Sequence, residues 1–169
     1  NIIVSTARAG NVIGGGDWSE NRIVPDVINS LVKKEALRIR YPNAIRPWQH
    51  VLEPLFGYLK LAKYQYLRKE ANHFNFGPHH YESSTVRELI DEIYKLWGSK
   101  CSEIIEKDCL YESTLLSLNI EKAKKILNWK PKWGFKETVK YTVNWYRKNL
   151  DGQSVFSCIQ HDIENYLNK

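Results

Sequence analysis

The segment 40–54 concentrates the side chains of this protein that are best suited to binding an anion. It reads R-Y-P-N-A-I-R-P-W-Q-H-V-L-E-P, with two arginines among three prolines. Proline fixes φ and lacks an N–H donor, so Pro42, Pro47 and Pro54 predict a stiff, extended path without helix. A guanidinium held on a stiff backbone suits bidentate binding of a phosphate or a carboxylate. The alternative interpretation is an edge strand whose arginines are solvated.

A glycine-rich turn precedes this segment. Residues 7–18 read A-R-A-G-N-V-I-G-G-G-D-W, after an apolar, β-branched run that predicts a buried strand at 1–8. The turn matches neither the dinucleotide fingerprint G-x-G-x-x-G nor the phosphate-loop pattern G-x-x-x-x-G-K-[ST]. It is either a flexible turn where a strand leaves a sheet, or a loop that places Asn11 at the carboxyl end of a strand, facing a ligand crevice.

Length and composition bound the class of protein. The chain has 169 residues, 43% hydrophobic and 26% charged, as expected for one globular domain. No apolar run is long enough to span a membrane, and no signal-peptide pattern opens the chain. Cys101, Cys109 and Cys158 lack metal-ligand spacing, so we expect reduced structural thiols in a cytoplasmic protein and no metal site. The formal charge of +6 permits anionic ligands, but the lysines are scattered along helices, which disfavours nucleic acid.

The hydrophobic pattern predicts an α/β chain. Strands are predicted at 1–8, 36–40, 73–77 and 102–106. Helices are predicted at 23–32, from Pro54 onward, at 86–97 after a capping box of Thr85 and Glu88, after Asn119, at 135–150 and in the last turns of the tail. The apolar face of the helix after Pro54 is predicted to consist of Leu55, Tyr58, Leu59 and Ala62. The amphipathic last turns carry Ile159, Ile163, Tyr166 and Leu167.

Several motifs together carry a resemblance to a known family. G-N-V-I-G-G-G-D-W, R-I-V-P, A-I-R-P-W-Q-H-V-L-E-P, F-N-F-G-P and L-N-W-K-P occur in this order. In order and spacing the chain resembles the carboxyl-terminal half of CDP-glucose 4,6-dehydratases, which belong to the extended short-chain dehydrogenase/reductase group. The block R-P-W-Q-H-V-L-E-P resembles the CDP-glucose branch, whereas related dehydratases have R-D-W-x-Y-V-x-D there. The absence of methionine and the start in an apolar run also lead us to expect a piece of a longer protein.

The resemblance implies a fold and a division of the chain. The fold expected is the last strands of a Rossmann domain plus a small mixed α/β substrate-binding lobe. Residues 1–16 would be the terminal strand and loop of an otherwise absent Rossmann domain. Residues 17–150 would form the nucleotide-sugar-binding lobe, and 151–169 a tail with a short helix.

The resemblance also implies an activity for the whole enzyme. Bound NAD would take a hydride from C4 of the glucose of CDP-glucose, water would be lost across C5 and C6, and the hydride would return to C6. The family's catalytic Y-x-x-x-K and its glycine-rich NAD turn are not found in this sequence, since none of the ten tyrosines has lysine four residues on. The chain is therefore expected to bind substrate without catalytic residues of its own. Its expected partners are CDP-glucose, the missing amino-terminal Rossmann half and further copies in a homo-oligomer.

Eight residues correspond to substrate-binding positions in the resemblance. They are Asn11, Arg22, Ile23, Leu37, Ile39, Arg40, Arg46 and Ser84. Asn11 and Arg46 would contact the diphosphate, and Leu37, Ile39 and Arg40 would lie near the base. Leu37 and Ile39 could equally belong to the core, and Ser84 could equally begin a helix. His50 and the tryptophans at 48, 129, 133 and 145 are interpreted as structural.

The sequence departs from the family pattern at two places, and two other functions remain possible alternatives to the dehydratase. The sequence has Y-E-S at 111–113 where the family suggests H-E-A, and Asn119 where aspartate is common, so no ligand contact is assigned to that loop. The first alternative is another extended short-chain epimerase or dehydratase acting on a different nucleotide sugar. The second is a truncated, non-catalytic remnant that binds anions through its basic surface.

Overall fold

A computed structural model describes residues 2–79, 82–106 and 113–169. Its strands are β1 Thr6–Ala9, β2 Val12–Ile13, β3 Leu37–Ile39, β4 Ile45–Arg46, β5 Gln49–His50, β6 His73–Phe76, β7 Ser84–Thr85 and β8 Glu103–Ile105. Its helices are α1 Ile23–Lys33, α2 Leu52–Arg68, α3 Val86–Trp97, α4 Glu121–Leu127, α5 Phe135–Leu150 and α6 Val155–Leu167. Strands and helices alternate, which confirms the predicted α/β class.

The strands pair across long stretches of sequence. β1 pairs in parallel with β6, β2 with β5 and β3 with β8, whereas β4 and β7 are antiparallel. A parallel pair needs a crossover rather than a tight turn. The pairing of β2 with β5 brings the glycine-rich turn against the segment 40–54.

Two hydrophobic clusters hold these elements together. The larger one is formed mainly by α1, α3, α5 and β3, and it includes the fully buried Ile28, Ile90 and Tyr146. The smaller one joins α2, β6 and α4 around Phe76 and Trp129, whose rings meet edge to face at 5.0 Å. The predicted domain limits at residues 16 and 150 stay a prediction.

Local chemistry explains the elements that were predicted correctly. The hydroxyl of Thr85 accepts from the N–H of Glu88 at 3.1 Å, and the carboxylate of Glu88 accepts from the N–H of Thr85 at 2.7 Å. This capping box begins α3, and Gly98 ends it with φ +85°. Helix α1 ends at Lys33, one residue past the predicted limit.

The amino-terminal strand is shorter and more exposed than predicted. It begins at Thr6 rather than at residue 1, and Ile2 and Val4 are 94% and 69% exposed. Among the described residues, β1 pairs along one edge, with β6. The apolar run at its start therefore lacks the covering layer that a buried strand requires.

The orientation of α2 corrects a second prediction. The helix begins at Leu52, so it includes Pro54, and the predicted face is exposed at Leu55 and Leu59, by 48% and 70%. The buried side carries Glu53, Pro54, Gly57 and Leu61. A Cβ at Gly57 would lie 2.3 Å from the ring of Phe76, so the helix approaches β6 through its smallest residue.

The helices of the carboxyl-terminal part also differ from those predicted from the hydrophobic pattern. Helix α6 has 13 residues rather than one or two turns. Of the four residues predicted for its apolar face, Tyr166 is buried, while Ile159, Ile163 and Leu167 are exposed. The side chain of Asn119 accepts from the N–H of Glu121 at 2.9 Å, directly before α4, whose cap position is Ile120 rather than Asn119. In that helix Ala123 and Leu127 are buried, whereas Ile126 is 43% exposed.

Candidate functional site

A cavity of about 570 Å³ opens where the glycine-rich turn, the start of α1, the end of β3 and β4 meet. Its volume lies in the range of small-molecule sites, about 300–1,000 Å³. Six of the eight predicted substrate-binding residues line it: Asn11, Arg22, Ile23, Ile39, Arg40 and Arg46. The structure therefore brings together residues from segments that are far apart in the sequence.

Close backbone packing places Asn11 in the wall. A Cβ at Gly10 would lie 2.8 Å from Cγ of Pro47, so glycine is needed where the turn meets the segment 40–54. The carbonyl of Asn11 accepts from the N–H of Gln49 at 2.9 Å. The alternative in which Asn11 faces a crevice after the first strand agrees with this geometry.

Arg46 is a buried charge in the cavity wall. It is 5% exposed, and its Nη1 donates to the carbonyl of Ile45 at 2.9 Å. Beside it, Nε1 of Trp48 donates to the carbonyl of Ser84 at 3.0 Å, which joins β4 and β5 to β7. A guanidinium in such a partly desolvated position attracts an anion more strongly than a surface arginine does.

Asn21 anchors a charged residue of the wall near the start of α1. Its backbone has φ 62°, and its carbonyl accepts from Nη2 of Arg40 at 3.2 Å. Asp26, in the first turn of α1, lies close enough to Arg40 for the charge of that arginine to act on its carboxyl group. Burial raises the pKa of Asp26, while the N–H of Asn21 and the charge of Arg40 oppose that rise.

The charges of the cavity favour an anionic ligand. Four arginines and two aspartates line it: Arg22, Arg38, Arg40, Arg46, Asp17 and Asp26. Asp17 lies 3.9 Å from Arg22, which partly neutralises that pair. Arg38 lies 3.5 Å from Glu106, so its charge is partly neutralised as well. The excess of positive charge that remains suits a phosphate group, and the apolar side chains of the wall suit a base or a sugar ring.

Leu37 and Ser84 do not line the cavity. Leu37 has no exposed surface and belongs to the larger hydrophobic cluster. Ile39, on the same side of β3, belongs to that cluster as well and is 1% exposed, but it also borders the cavity. Ser84 lies in β7, directly before the cap of α3. Leu37 therefore takes its structural alternative, whereas Ser84 does not begin the helix, since the cap of α3 is Thr85, and its ligand contact stays a prediction.

His50 agrees with its structural interpretation. It is 1% exposed, and its Nδ1 accepts from the N–H of Leu52 at 3.3 Å. Burial lowers its pKa to about 3, so the ring is neutral at physiological pH. Trp133 lies edge to face against it, with ring centroids 4.7 Å apart.

Sequence reasoning missed several lining residues. Asp26 follows R-I-V-P directly, but an acid in the first turn of a helix is usually explained by the helix dipole. Val86 and Leu116 line the cavity as well. Leu116 comes from a segment that hydrogen-bonds to β4 through Ile45, and no local pattern indicates that contact.

Other site classes find no support in the described ranges. No group of three or more His, Cys, Asp or Glu side chains there could hold a metal ion. Among the helices of the same ranges, none combines the length and the apolar character that crossing a lipid bilayer requires. Residues 111 and 112 of the departing Y-E-S motif lie outside the described residues, whereas Oγ of Ser113 donates to the carbonyl of Leu115 at 2.9 Å.

The chain is similar in sequence to a known enzyme. It is 38% identical over 167 residues to a CDP-glucose 4,6-dehydratase of Salmonella typhimurium. The aligned region is 97% of this chain and 46% of that relative, so the chain spans about half the length of the curated relative that it matches. No protein-family model matches the chain.

Solved structures show the same fold. A dTDP-glucose 4,6-dehydratase of Bacillus anthracis in complex with NAD is 20% identical with a TM-score of 0.69, and the match covers 86% of this chain and 45% of that one. A UDP-glucose-4-epimerase of Stenotrophomonas maltophila with bound NAD and formylated UDP-arabinopyranose is 14% identical with a TM-score of 0.77, over 90% and 50% of the two chains. The chain is therefore similar in sequence to CDP-glucose 4,6-dehydratase and has the α/β fold of the carboxyl-terminal part of the extended short-chain dehydrogenase/reductase enzymes.

Proposed function

We propose that this chain is the substrate-binding part of a nucleotide-sugar 4,6-dehydratase that acts on CDP-glucose. The observation that carries the proposal is the cavity in which six of the eight expected residues meet around the buried Arg46. The sequence similarity to a CDP-glucose 4,6-dehydratase supports the choice of substrate. Because the match covers 46% of that relative, the activity of a whole enzyme is part of the proposal.

Each part of the cavity has a role in this proposal. Arg46 and Asn11 hold the diphosphate, since a guanidinium and an amide supply the donors that phosphate oxygens accept. Arg22 and Ile23 lie along the nucleoside, and Ile39 and Arg40 contact the base. These contacts fix the sugar in one orientation, which is a contribution of positioning rather than of acid or base catalysis.

The motifs that the family uses for NAD and for catalysis are not found in this sequence. The sequence contains no G-x-G-x-x-G turn between a strand and a helix, and no Y-x-x-x-K pair. We therefore assign no catalytic or cofactor-binding role to any residue of this chain. In the proposal, residues 17–150 bind substrate, 151–169 form a tail, and 1–16 belong with a Rossmann domain that supplies cofactor and catalytic groups within a homo-oligomer.

A thermal melt of the chain with CDP, UDP, GDP and dTDP in turn tests the proposal. A ligand present at about 100 times its dissociation constant stabilises the folded state by about 2.7 kcal/mol. We expect CDP alone to raise the melting temperature, at low and at moderate salt. Arg46→Ala should weaken CDP binding about 10- to 100-fold, because it removes charge-assisted hydrogen bonds worth about 1.5–3 kcal/mol.

The matched control is Arg68→Ala, which removes an exposed arginine at the end of α2. It should leave the response to CDP unchanged. If none of the four nucleotides raises the melting temperature, or if Arg46→Ala and Arg68→Ala respond alike, the cavity is not a nucleotide site.

A second candidate is another nucleotide-sugar enzyme of the same fold. The similarity in fold to a UDP-glucose-4-epimerase, with a TM-score of 0.77, favours considering it. A response to UDP rather than to CDP would support this candidate. Equal and strongly salt-dependent responses to all four nucleotides would instead support a remnant with general affinity for anions.

A further inference from the structure

We infer that Asp26 selects the base of the bound nucleotide by accepting a hydrogen bond from the exocyclic amino group of cytosine. The inference rests on the proposed nucleotide site and adds a residue that none of the motifs assigned. It also gives a direction to the ligand, with the diphosphate toward Arg46 and the base toward the first turn of α1.

The first turn of α1 fixes where Asp26 enters the cavity wall. The N–H of Asn21 and the charge of Arg40 both act on its carboxyl group, and the carbonyl of Asn21 accepts from Nη2 of Arg40 at 3.2 Å. The N–H of Asp26 itself donates to the carbonyl of Arg22 at 2.9 Å, which fixes the start of α1. Asn21, with φ 62°, thus holds an arginine of the wall near this acid. A group positioned in this way can discriminate between ligands, because little freedom is left to adapt.

The charge of Asp26 excludes the diphosphate from this wall. A carboxylate next to a phosphate costs free energy, particularly where protein atoms have replaced water. Each aspartate of the cavity has an arginine nearby: Asp17 lies 3.9 Å from Arg22, and the charge of Arg40 acts on Asp26. The diphosphate is therefore expected against Arg46 on β4, and the uncharged part of the nucleotide against α1.

A carboxylate is an acceptor only, and this property separates the pyrimidine bases. Cytosine presents an amino group at C4, which donates, whereas uracil and thymine present an oxygen there, which accepts. An aspartate that faces this position accepts a hydrogen bond from the amino group of cytosine. With uracil, the carboxylate and the oxygen at C4 are both acceptors, so they repel each other. Acidic side chains accept from this amino group in nucleic-acid recognition, and one good contact discriminates about 10- to 100-fold.

The ribose hydroxyl groups are the competing donors for this carboxylate. Isothermal titration of the 169-residue chain with CDP, UDP and 2′-deoxy-CDP separates the two possibilities. The parent chain should bind CDP about 10 to 100 times more tightly than UDP. In Asp26→Asn the amide can accept from cytosine or donate to uracil, so this ratio should fall to about 1 to 3, with the ratio of CDP to 2′-deoxy-CDP unchanged.

The control is Glu20→Gln, since Glu20 is exposed, does not line the cavity, and lies close enough for its charge to act on Asp26. It should retain the parent ratio of CDP to UDP. Circular dichroism establishes that each variant is folded before titration. Base selection by Asp26 is refuted if Asp26→Asn weakens CDP and UDP equally, or if it changes only the preference for CDP over 2′-deoxy-CDP.

The failure of this inference is distinguishable from failure of the proposed function. If the parent binds CDP and UDP equally and Arg46→Ala abolishes both, the nucleotide site stands and the role of Asp26 is wrong. If the parent binds none of these nucleotides, the proposed function is wrong and the role of Asp26 is overturned with it.

Discussion

The carboxylate of Glu53 joins three distant parts of the chain without any exposed surface. Its Oε1 accepts from the N–H groups of Lys132 at 2.9 Å and Trp133 at 2.7 Å, and its Oε2 accepts from the hydroxyl of Tyr166 at 2.8 Å. Burial raises the pKa of this carboxyl group, while the three hydrogen bonds and the charge of Lys132 oppose the rise. Because α2 follows the segment that carries Arg46, these bonds tie the candidate site to α6.

Replacing Glu53 by alanine should therefore destabilise the fold strongly. Three buried donors lose their acceptor, and each costs about 1–3 kcal/mol. Water entering the vacated space can replace part of these bonds, so we expect a loss near the lower end of the sum, about 3–5 kcal/mol. Glu53→Gln keeps an oxygen for the two backbone N–H groups and an amide that can donate to Tyr166, so it should cost less than about 2 kcal/mol.

Urea unfolding followed by tryptophan fluorescence measures both losses. Trp129 donates from Nε1 to the carbonyl of Glu53 at 3.2 Å, and Trp133 stacks on Tyr141 at 4.0 Å, so both indoles report on this region. Glu164→Ala, which removes an exposed acid of α6, is the control and should change the free energy of unfolding by less than about 0.5 kcal/mol. A loss below about 1 kcal/mol for Glu53→Ala, or equal losses for alanine and glutamine, would refute the reasoning.

Two further perturbations test other parts of the fold. Burial raises the pKa of Asp162 from 3.8 to about 7, although the charge of Lys148 opposes the rise. Between pH 3.8 and about pH 7 the folded state therefore binds more protons than the unfolded state, and the free energy of unfolding falls as the pH rises through this range. In thermal melts, Asp162→Asn should be more stable than the parent by about 1–3 kcal/mol at pH 8 and equally stable near pH 4. The same difference in stability at both pH values would contradict this reasoning. A Cβ at Gly15 would lie 1.9 Å from Cγ of Trp145, so Gly15→Ala should cost about 1–3 kcal/mol or more in a urea titration. Gly77→Ala is the control, since its Cβ meets its nearest neighbour at 3.5 Å, and equal losses would mean that Trp145 moves aside freely.

The two long helices of the first hundred residues show how far a pattern predicts a structure. For α3, apolar spacing and the Thr85–Glu88 capping box are both local, and both are confirmed. For α2, the buried side contains Glu53 and Gly57, which no hydrophobic pattern selects. The acid is satisfied by N–H groups 79 and 80 residues further on, and the glycine is needed only because Phe76 packs against it.

In the candidate site, too, some residues follow from local sequence patterns and others only from the tertiary structure. Arg46 and Asn11 follow from motifs that the sequence displays, and the structure places both in the cavity wall. The sequence does not distinguish Leu37 from Ile39, since both are apolar residues that flank Arg38 on β3. Only their positions along the strand decide that Ile39 reaches the cavity. Asp26 was missed because an acid at the start of a helix has a sufficient local explanation.

By itself, the sequence determined the α/β class, the order of most elements and the residue types that suit an anion. These properties depend on backbone sterics, capping and short-range periodicity, which act within a few residues. Which faces are buried, and which side chains share the cavity, was decided by tertiary structure alone. Asn11 and Arg46 meet because β2 pairs with β5, which sets Val12 opposite Gln49 across 37 residues of chain. Those contacts depend on the shapes of both partners, and a single segment contains only one of them.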